Sequence, residues 1–457
     1  MDPLSNINNT HVTVIDQRMG SGKSTWAIQY IDSLPDDKHV LYITPYTAEI
    51  DRIISACTNK QVVQPDYSTG NHTKLASLHD QIENDKDIAS THALFSHFTD
   101  ETARLLTEHE YILILDEVIE PVNPVSMKSS EFNSFLASGR ISINEETKAV
   151  SWDDTNGGSE TDYKEIRDHA LKGELYYIER SNFVWCYPPQ VFKAFTAIYL
   201  LTYLFDGSCM KSYFGMNGIQ YEKKCLSRDS NGIYSLTEYY EDNTSDIRDL
   251  INIYEDDTSK LGKSGRLNTN FVDVMSKSYK QTILSATWYK SKGKDIPTAK
   301  AKIAKNTYNY LRRYCNAPVQ SALITVFKSS ESDVYFDGTE WHKPTNSKYA
   351  LYIRDYDSQI VPFNTRSTND YRDTYNIAYL VNRYIHPDVR KFFSLKGYPV
   401  DGETWALAEM IQLIWRSRIR NQFDEQGQPV PDDQRQIYIY IPSERMRRLL
   451  KRYLQKS

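Results

Sequence analysis

A short apolar strand, Val12 to Ile15, runs into Gly20-Ser21-Gly22-Lys23-Ser24-Thr25 and then into a helical pattern, Trp26 to Leu34. No other feature of the chain limits its fold so tightly. Glycines let the backbone curl until successive N–H groups point inward. The helix behind adds its positive N-terminus. Strand, loop and helix in that order make a phosphate-binding loop. Met19, Gly20, Ser21, Gly22, Lys23, Ser24 and Thr25 are therefore expected to cradle the phosphates of ATP. Lys23 would reach the β- and γ-phosphates, and the Ser24 hydroxyl would hold Mg²⁺. Gln17 stands where the first glycine of such a loop usually lies. The competing reading is a flexible Gly/Ser turn with an exposed lysine.

A second apolar strand, Tyr111 to Leu115, ends in Asp116-Glu117. A continuous apolar run suits a central parallel strand buried on both faces. Asp116 would then sit beside the loop and hold Mg²⁺ directly or through water. Glu117 would orient or deprotonate an attacking water. The competing reading is two acids that merely end a strand at the surface.

The first half of the chain alternates strands and helices. Strands are expected at His11–Ile15, His39–Thr44, Asp87–Ser90, Tyr111–Leu115 and Ala197–Thr202. Helices are expected at Thr25–Leu34, Ala48–Ala56, Ala93–Phe98 and Glu101–His109. The pattern weakens between Val118 and Tyr187, where Asp153 to Thr161 reads as an exposed loop. Arg228 to Arg266 is polar and reads as connecting structure. Order returns with strands at Ala322–Phe327, Gln359–Phe363 and Gln436–Ile441. Helices are expected at Tyr375–Tyr384 and Thr404–Trp415, and after Ser443, whose hydroxyl can cap a stripe of Met446, Leu449, Leu450, Tyr453 and Leu454. The expected architecture is α/β with two RecA-like domains, each a mainly parallel sheet flanked by helices. Residues 1–212 would form the first, with an insertion at about 120–187; 213–320 would connect; 321–457 would form the second.

Composition sets outer bounds. At 457 residues, 40% hydrophobic and 25% charged, the chain reads as a soluble globular protein. No run of about 18 apolar residues is present, so no membrane partner is expected. The five cysteines are scattered, without a CxxC pair, and a reducing cytoplasm is the expected compartment. A net charge of −6 excludes a protein coated in positive charge but leaves room for a local nucleic-acid groove.

The C-terminal third narrows the chemistry. Gln412, Arg416 and Arg420 fall at i, i+4 and i+8, so on a helix they share one face. An arginine there could neutralise γ-phosphate charge in a transition state. Taken together, the set resembles superfamily 2 helicases, in particular the compact DEAD/DEAH-type helicases of bacteriophages. Gly20–Thr25 resembles motif I, and Thr44-Pro45-Tyr46, with Glu49 and Arg52 behind, motif Ia. Ser90-Thr91-His92 resembles a further single-strand contact, and Asp116-Glu117-Val118-Ile119 motif II. Ala322–Lys328 resembles motif IV, Asn364–Asn369 motif V and Gln412–Arg420 motif VI. Val118-Ile119 depart from both DEAD and DEAH. Only ten residues precede the first strand, so the family's upstream adenine-reading motif is not expected.

The resemblance implies ATP-dependent unwinding of, or translocation on, a single strand or forked duplex, DNA in phage replication, with replication proteins as partners in the host cytoplasm. It implies catalytic roles for Lys23, Glu117, Gln412, Arg416 and a second arginine, Arg420 by helical spacing or Arg418, since Ile419 stands at the family's position. It also implies nucleic-acid contacts through Thr44, Pro45, Tyr46, Thr91, His92, Thr365 and Arg366. A phage packaging ATPase and a non-catalytic nucleotide-sensing module remain as alternatives. Leu284-Ser285-Ala286-Thr287 looks like the coupling motif of helicases, but Ala197–Thr202 is the better strand. Thr202 is expected beside Glu117, and Ser285 to Thr287 remote or helical.

Overall fold

The computed structural model describes residues 10–67, 72–155, 162–257, 265–276, 282–328, 349–363, 371–422 and 429–455, with two short strands at 335–336 and 341–342. Two compact units divide the chain. The first comprises Met1–Tyr240 and Ile385–Trp405, the second Glu241–Tyr384 and Ala406–Ser457.

Among its described residues the first unit has thirteen strands: β1 (His11–Asp16), β2 (Val40–Thr44), β3 (Val62–Val63), β4 (Asp87–Thr91), β5 (Ile112–Asp116), β6 (Val122–Ser126), β7 (Ile141–Ile143), β8 (Val150–Trp152), β9 (Leu175–Glu179), β10 (Asn182–Cys186), β11 (Ala197–Thr202), β12 (Glu222–Arg228) and β13 (Tyr234–Glu238). Eight of them form one sheet in the order β13-β12-β1-β11-β5-β2-β4-β3. Every neighbouring pair is parallel except β12 with β13.

The apolar runs dictate this arrangement. Side chains alternate across a strand, so a strand apolar at every position must be covered on both faces. Leu113 and Leu115 of β5 enter one core with Val12, Val14, Leu41 and Ile43. Ile114 enters the opposite core with Ile15, Tyr42, Leu201 and Trp26.

Residues 120–187, the expected insertion, have a small core of their own. An antiparallel sheet β6-β10-β9 and the pair β7–β8 pack with helices Ser129–Ala137 and Lys164–Leu171 around Phe132, Trp152 and Phe183. Part of the loop expected at Asp153 to Thr161, residues 156–161, lies outside the described residues. A helix from far along the chain, Pro387–Leu395, completes the first unit. Its Val389, Phe392 and Phe393 join the core that holds Leu113. Its Phe392 also meets the Tyr176 ring of β9 at 5.3 Å, and Lys391 pairs with Glu179.

The second unit carries β14 (Ile251–Ile253), β15 (Ala322–Val326), a small antiparallel pair β16 (Tyr335–Phe336) and β17 (Trp341–His342), β18 (Ile360–Pro362), β19 (Asn376–Tyr379) and β20 (Ile437–Tyr440). Its main sheet runs β14-β20-β19-β15-β18, all parallel. Helices Asp295–Tyr308 and Glu444–Leu454 accompany it, as does helix Gly402–Ile414 from Ala406 onward. Ser443 caps the last, accepting from the Met446 amide at 3.4 Å, and the expected stripe from Met446 to Leu454 is buried.

Three expectations need correction. Tyr375–Tyr384, expected as a helix, contains central strand β19, with all four residues buried. A short run buried on every side has no period to separate strand from helix. The first unit extends to Tyr240 rather than 212, because β12 pairs with β1. The stretch 213–320 is thus more than a connector, since it adds β12 and β13 to the first sheet and β14 to the second.

The role of the returning helix is measurable. Phe393 is fully buried, and truncating such a ring removes about 3–5 kcal/mol. Phe393→Ala should lower the first unit's stability by that order in urea titration. A loss below about 1 kcal/mol would show that the helix is an ornament rather than core.

Candidate functional site

The loop leaves β1 at its carboxyl end. Gly20 and Gly22 both take positive φ, +85° and +91°, conformations that side chains other than glycine adopt poorly. Gly22 is the N-cap of helix Lys23–Ser33, and no side chain caps that helix. The backbone N–H groups of its first turn are orphans by geometry, as an anion site requires. The Ser21 hydroxyl is buried without a hydrogen-bond partner. Met19 is half-buried, and Thr25 is exposed on the first turn. Lys23 folds back over the loop, its ammonium donating to the carbonyls of Gln17 and Arg18, the latter at 3.0 Å.

β5 brings the acids to the same edge. Asp116 Oδ2 accepts from Tyr42 Oη of β2 at 2.5 Å and lies 3.4 Å from Ser24 Oγ. Loop, β2 and β5 thus converge on one carboxylate. Burial pushes the Asp116 pKa up to about 6, with the Glu117 charge adding and the Tyr42 bond opposing. A hydroxyl and a carboxylate are donors suited to Mg²⁺, so the residues present fit a Mg²⁺-nucleotide. Glu117 has φ +65°, a left-handed conformation, and its amide donates to Leu201 O at 2.9 Å. Strained non-glycine backbone persists only where its surroundings hold it in place.

Thr202 ends β11 beside this point. Leu201 is in register with Asp116, and the Thr202 carbonyl accepts from the Gln17 amide at 3.1 Å. Thr202 thus stands next to Glu117, as expected. Ser285 instead caps the short helix Ala286–Lys290 of the second unit, accepting from the Trp288 amide at 3.2 Å.

Of the expected nucleic-acid residues, Thr44 and Thr91 are in register at the ends of β2 and β4. The Thr44 hydroxyl is buried without a hydrogen-bond partner, and Pro45 and Tyr46 follow half-buried. The Thr91 hydroxyl is used as a helix cap for the Leu94 amide, at 3.2 Å. His92 turns inward, its Nε2 3.1 Å from the Asp116 carbonyl oxygen. That oxygen only accepts, so Nε2 carries the proton. Glu49 and Arg52 pair with each other. Thr365 and Arg366 lie outside the described residues.

The arginine face is not a continuous helix. The helix ends at Ile414, and Ser417 is extended, its hydroxyl bonded to Ile414 O at 2.6 Å. Gln412 lies on the helix, Arg416 in the turn after it and Arg420 in a separate 3₁₀ turn. Arg416 is buried and Arg420 exposed. Arg418 is structural, lying 4.0 Å over the Tyr375 ring and donating to Gln436 O at 2.7 Å.

Sequence reading missed Tyr42, because a tyrosine inside an apolar strand reads as core. It also missed the purpose of Gln17. Its amide spans the backbone of Leu226 in β12, accepting from the N–H at 3.0 Å and donating to the carbonyl at 3.3 Å.

Residues 245–454 match a family described as the YonV C-terminal Rossmann-like domain. Over 454 residues the chain is 30% identical to the SPbeta prophage-derived protein YonV of Bacillus subtilis (strain 168), an alignment covering 98% of this chain and 99% of that one. The chain belongs to the YonV family. Among solved structures, this YonV-family chain matches S. tokodaii Xpd4 at 10% identity and a TM-score of 0.42, over 97% of this chain and 94% of that one. It matches the DUF1998 helicase MrfA, solved with DNA and AMPPNP, at 10% identity and a TM-score of 0.33. That match covers 97% of this chain and 48% of MrfA, so this chain spans about half its length. No described helix is long and apolar enough to cross a membrane.

The buried carboxylate has a pH signature. The Asp116 pKa of about 6 exceeds the ordinary value of about 4, so the folded state disfavours the ionised form. Stability of the metal-free protein should therefore fall as pH rises from about 4 to about 6. Asp116→Asn removes that fall. Its stability relative to wild type should improve by about 2–3 kcal/mol between pH ~4 and pH ~8. A difference independent of pH would sink the assignment.

Proposed function

We propose that this YonV-family chain is an ATP hydrolase that translocates on, or unwinds, nucleic acid, DNA in phage replication. The observation that carries the reading is the meeting of Ser24 and Asp116 at the carboxyl edge of the first sheet, 3.4 Å apart, with Glu117 next in the chain. Two mainly parallel sheets with helices supply the expected architecture. The prophage origin of the relative YonV supports the setting.

The chain's own residues take these roles. The loop amides of Gly20 to Thr25 receive phosphate oxygens. Lys23 exchanges its carbonyl partners for the β- and γ-phosphates. Ser24 and Asp116 hold Mg²⁺, which when bound neutralises phosphate charge. Glu117 accepts the proton of the attacking water. Thr44, Pro45, Tyr46 and Thr91 grip the sugar-phosphate backbone without reading bases. His92 connects that end of β4 to the Asp116 carbonyl, which gives strand binding a route to the metal ligand. Thr202, between the loop and Glu117, passes the state of one to the other. Gln412 and Arg416 of the second unit act on transition-state charge. Replication proteins are the partners this setting implies.

Lys23→Ala should abolish ATP turnover. Glu117→Gln should bind ATP, hydrolyse it at least about 100-fold more slowly and hold single strands tightly. Wild-type turnover in Glu117→Gln would remove that residue from the chemistry. Strand displacement on forked, 3′-tailed and 5′-tailed duplexes tests the whole reading. No ATP-dependent displacement and no stimulation of hydrolysis by nucleic acid would overturn it.

Arg416→Ala should slow hydrolysis with little loss of ATP binding, because the charge acts mainly in the transition state. Weakened ATP binding at an unchanged turnover rate would refute the role. Arg420→Ala, exposed and on a separate turn, reports whether a second arginine contributes.

A further inference from the structure

The hairpin β12–β13 forms the edge of the first sheet on the side of β1 away from β5. Two glutamines fasten it to the phosphate loop and its helix. Gln17, before the loop, takes both backbone groups of Leu226 and donates to Tyr240 Oη at 3.0 Å. Gln29, on the helix, accepts from the Tyr234 amide at 2.9 Å and donates to Gly232 O at 3.1 Å. The hairpin is thereby held at both ends of the element that binds phosphate.

That fastening places the Tyr234 ring directly on Gly22. A Cβ added to Gly22 would come within 2.2 Å of the ring. Thr25 shares a helix face with Gln29, one turn away, and is exposed. The first turn is open at Thr25, and Tyr234 lies at its margin, half-buried against the core of Trp26 and Ile31, with the Arg228 guanidinium 6.0 Å from its ring centroid.

The direction of a bound nucleotide follows from the strand order. Asp116 and Glu117 lie on the β5 side of the loop, so the γ-phosphate and its metal must face that way. The α-phosphate and nucleoside then leave on the opposite side of β1, where β12 and β13 lie. We propose that Tyr234 stacks on the base of the nucleotide whose phosphates the loop holds. This rests on the nucleotide reading of the site and adds the residue that separates a nucleoside triphosphate from bare polyphosphate. Aromatic faces accept any base, so the contact gives affinity for the base with modest selectivity among bases.

The test compares two ligands on the full chain. ATP and inorganic tripolyphosphate, each with Mg²⁺, are titrated by calorimetry against wild type, Tyr234→Ala and Tyr234→Phe. Wild type should bind ATP more tightly than tripolyphosphate. Tyr234→Ala should weaken ATP roughly 10- to 100-fold and leave tripolyphosphate within about twofold. Tyr234→Phe, which keeps the ring, should bind ATP like wild type. Equal weakening of both ligands in Tyr234→Ala would make the ring a prop for the loop and overturn the stacking role. So would wild-type binding that does not distinguish the ligands, which would leave the phosphate site standing. A wild-type chain that binds neither ligand would overturn the nucleotide reading and this inference with it.

Discussion

The Asp116 carboxylate is the contact on which the rest of the first unit's site depends. A buried carboxyl is costly to ionise, and this one receives hydrogen bonds from two hydroxyls, Tyr42 and Ser24, while the Lys23 charge lowers its pKa only in part. Neutral donors compensate a buried charge incompletely. The protein therefore holds, at the end of an apolar strand, a carboxyl whose ionisation is costly. Its neighbours are arranged around it. β2 supplies the tyrosine that fixes the carboxyl's orientation. The loop helix supplies the serine. His92 anchors the same residue's carbonyl from β4, and the left-handed turn at Glu117 redirects the chain as soon as the carboxylate is in place. Lys23 completes the arrangement by donating to the Gln17 and Arg18 carbonyls of the loop.

How far this was legible depended on how local each cause was. The loop, the strands β1, β2, β5 and β11 and the acids after β5 are written in short contiguous patterns, so their places in the fold follow from sequence. Thr202 was legible for the same reason, since an apolar run of six ending in a hydroxyl can only lie beside other such runs. The partner of Gln17 was not, because Leu226 is 209 positions away. A missing first glycine in a phosphate loop looks like decay until the hairpin is seen. Tyr42 was hidden by its own suitability for a core, and its one polar atom meets Asp116 74 positions on. The arginine stretch failed differently. Spacing of four suits a helix only while the helix lasts, and Ser417 bonds back to Ile414 to stop it.

The boundary between units was the least legible feature, and its physical cause has a consequence for folding. Ile385–Trp405 belongs to the first unit although the chain has by then built four of the five strands of the second main sheet. Val389, Phe392 and Phe393 fill a core whose other members end near Ile219. Contacts at such sequence separation carry the full loop-closure cost before any burial rewards it. During synthesis the first unit must wait for residues near 393 with an apolar surface exposed. The insertion's own core around Phe132 and Phe183 needs nothing from that helix and can form early, offering a folded platform on which Phe392 then meets Tyr176. The order that follows is local closure of the insertion and of the parallel strands first, and docking of the returning helix last. Strand β1, which leads into the phosphate loop, shares Val12 and Val14 with that same core.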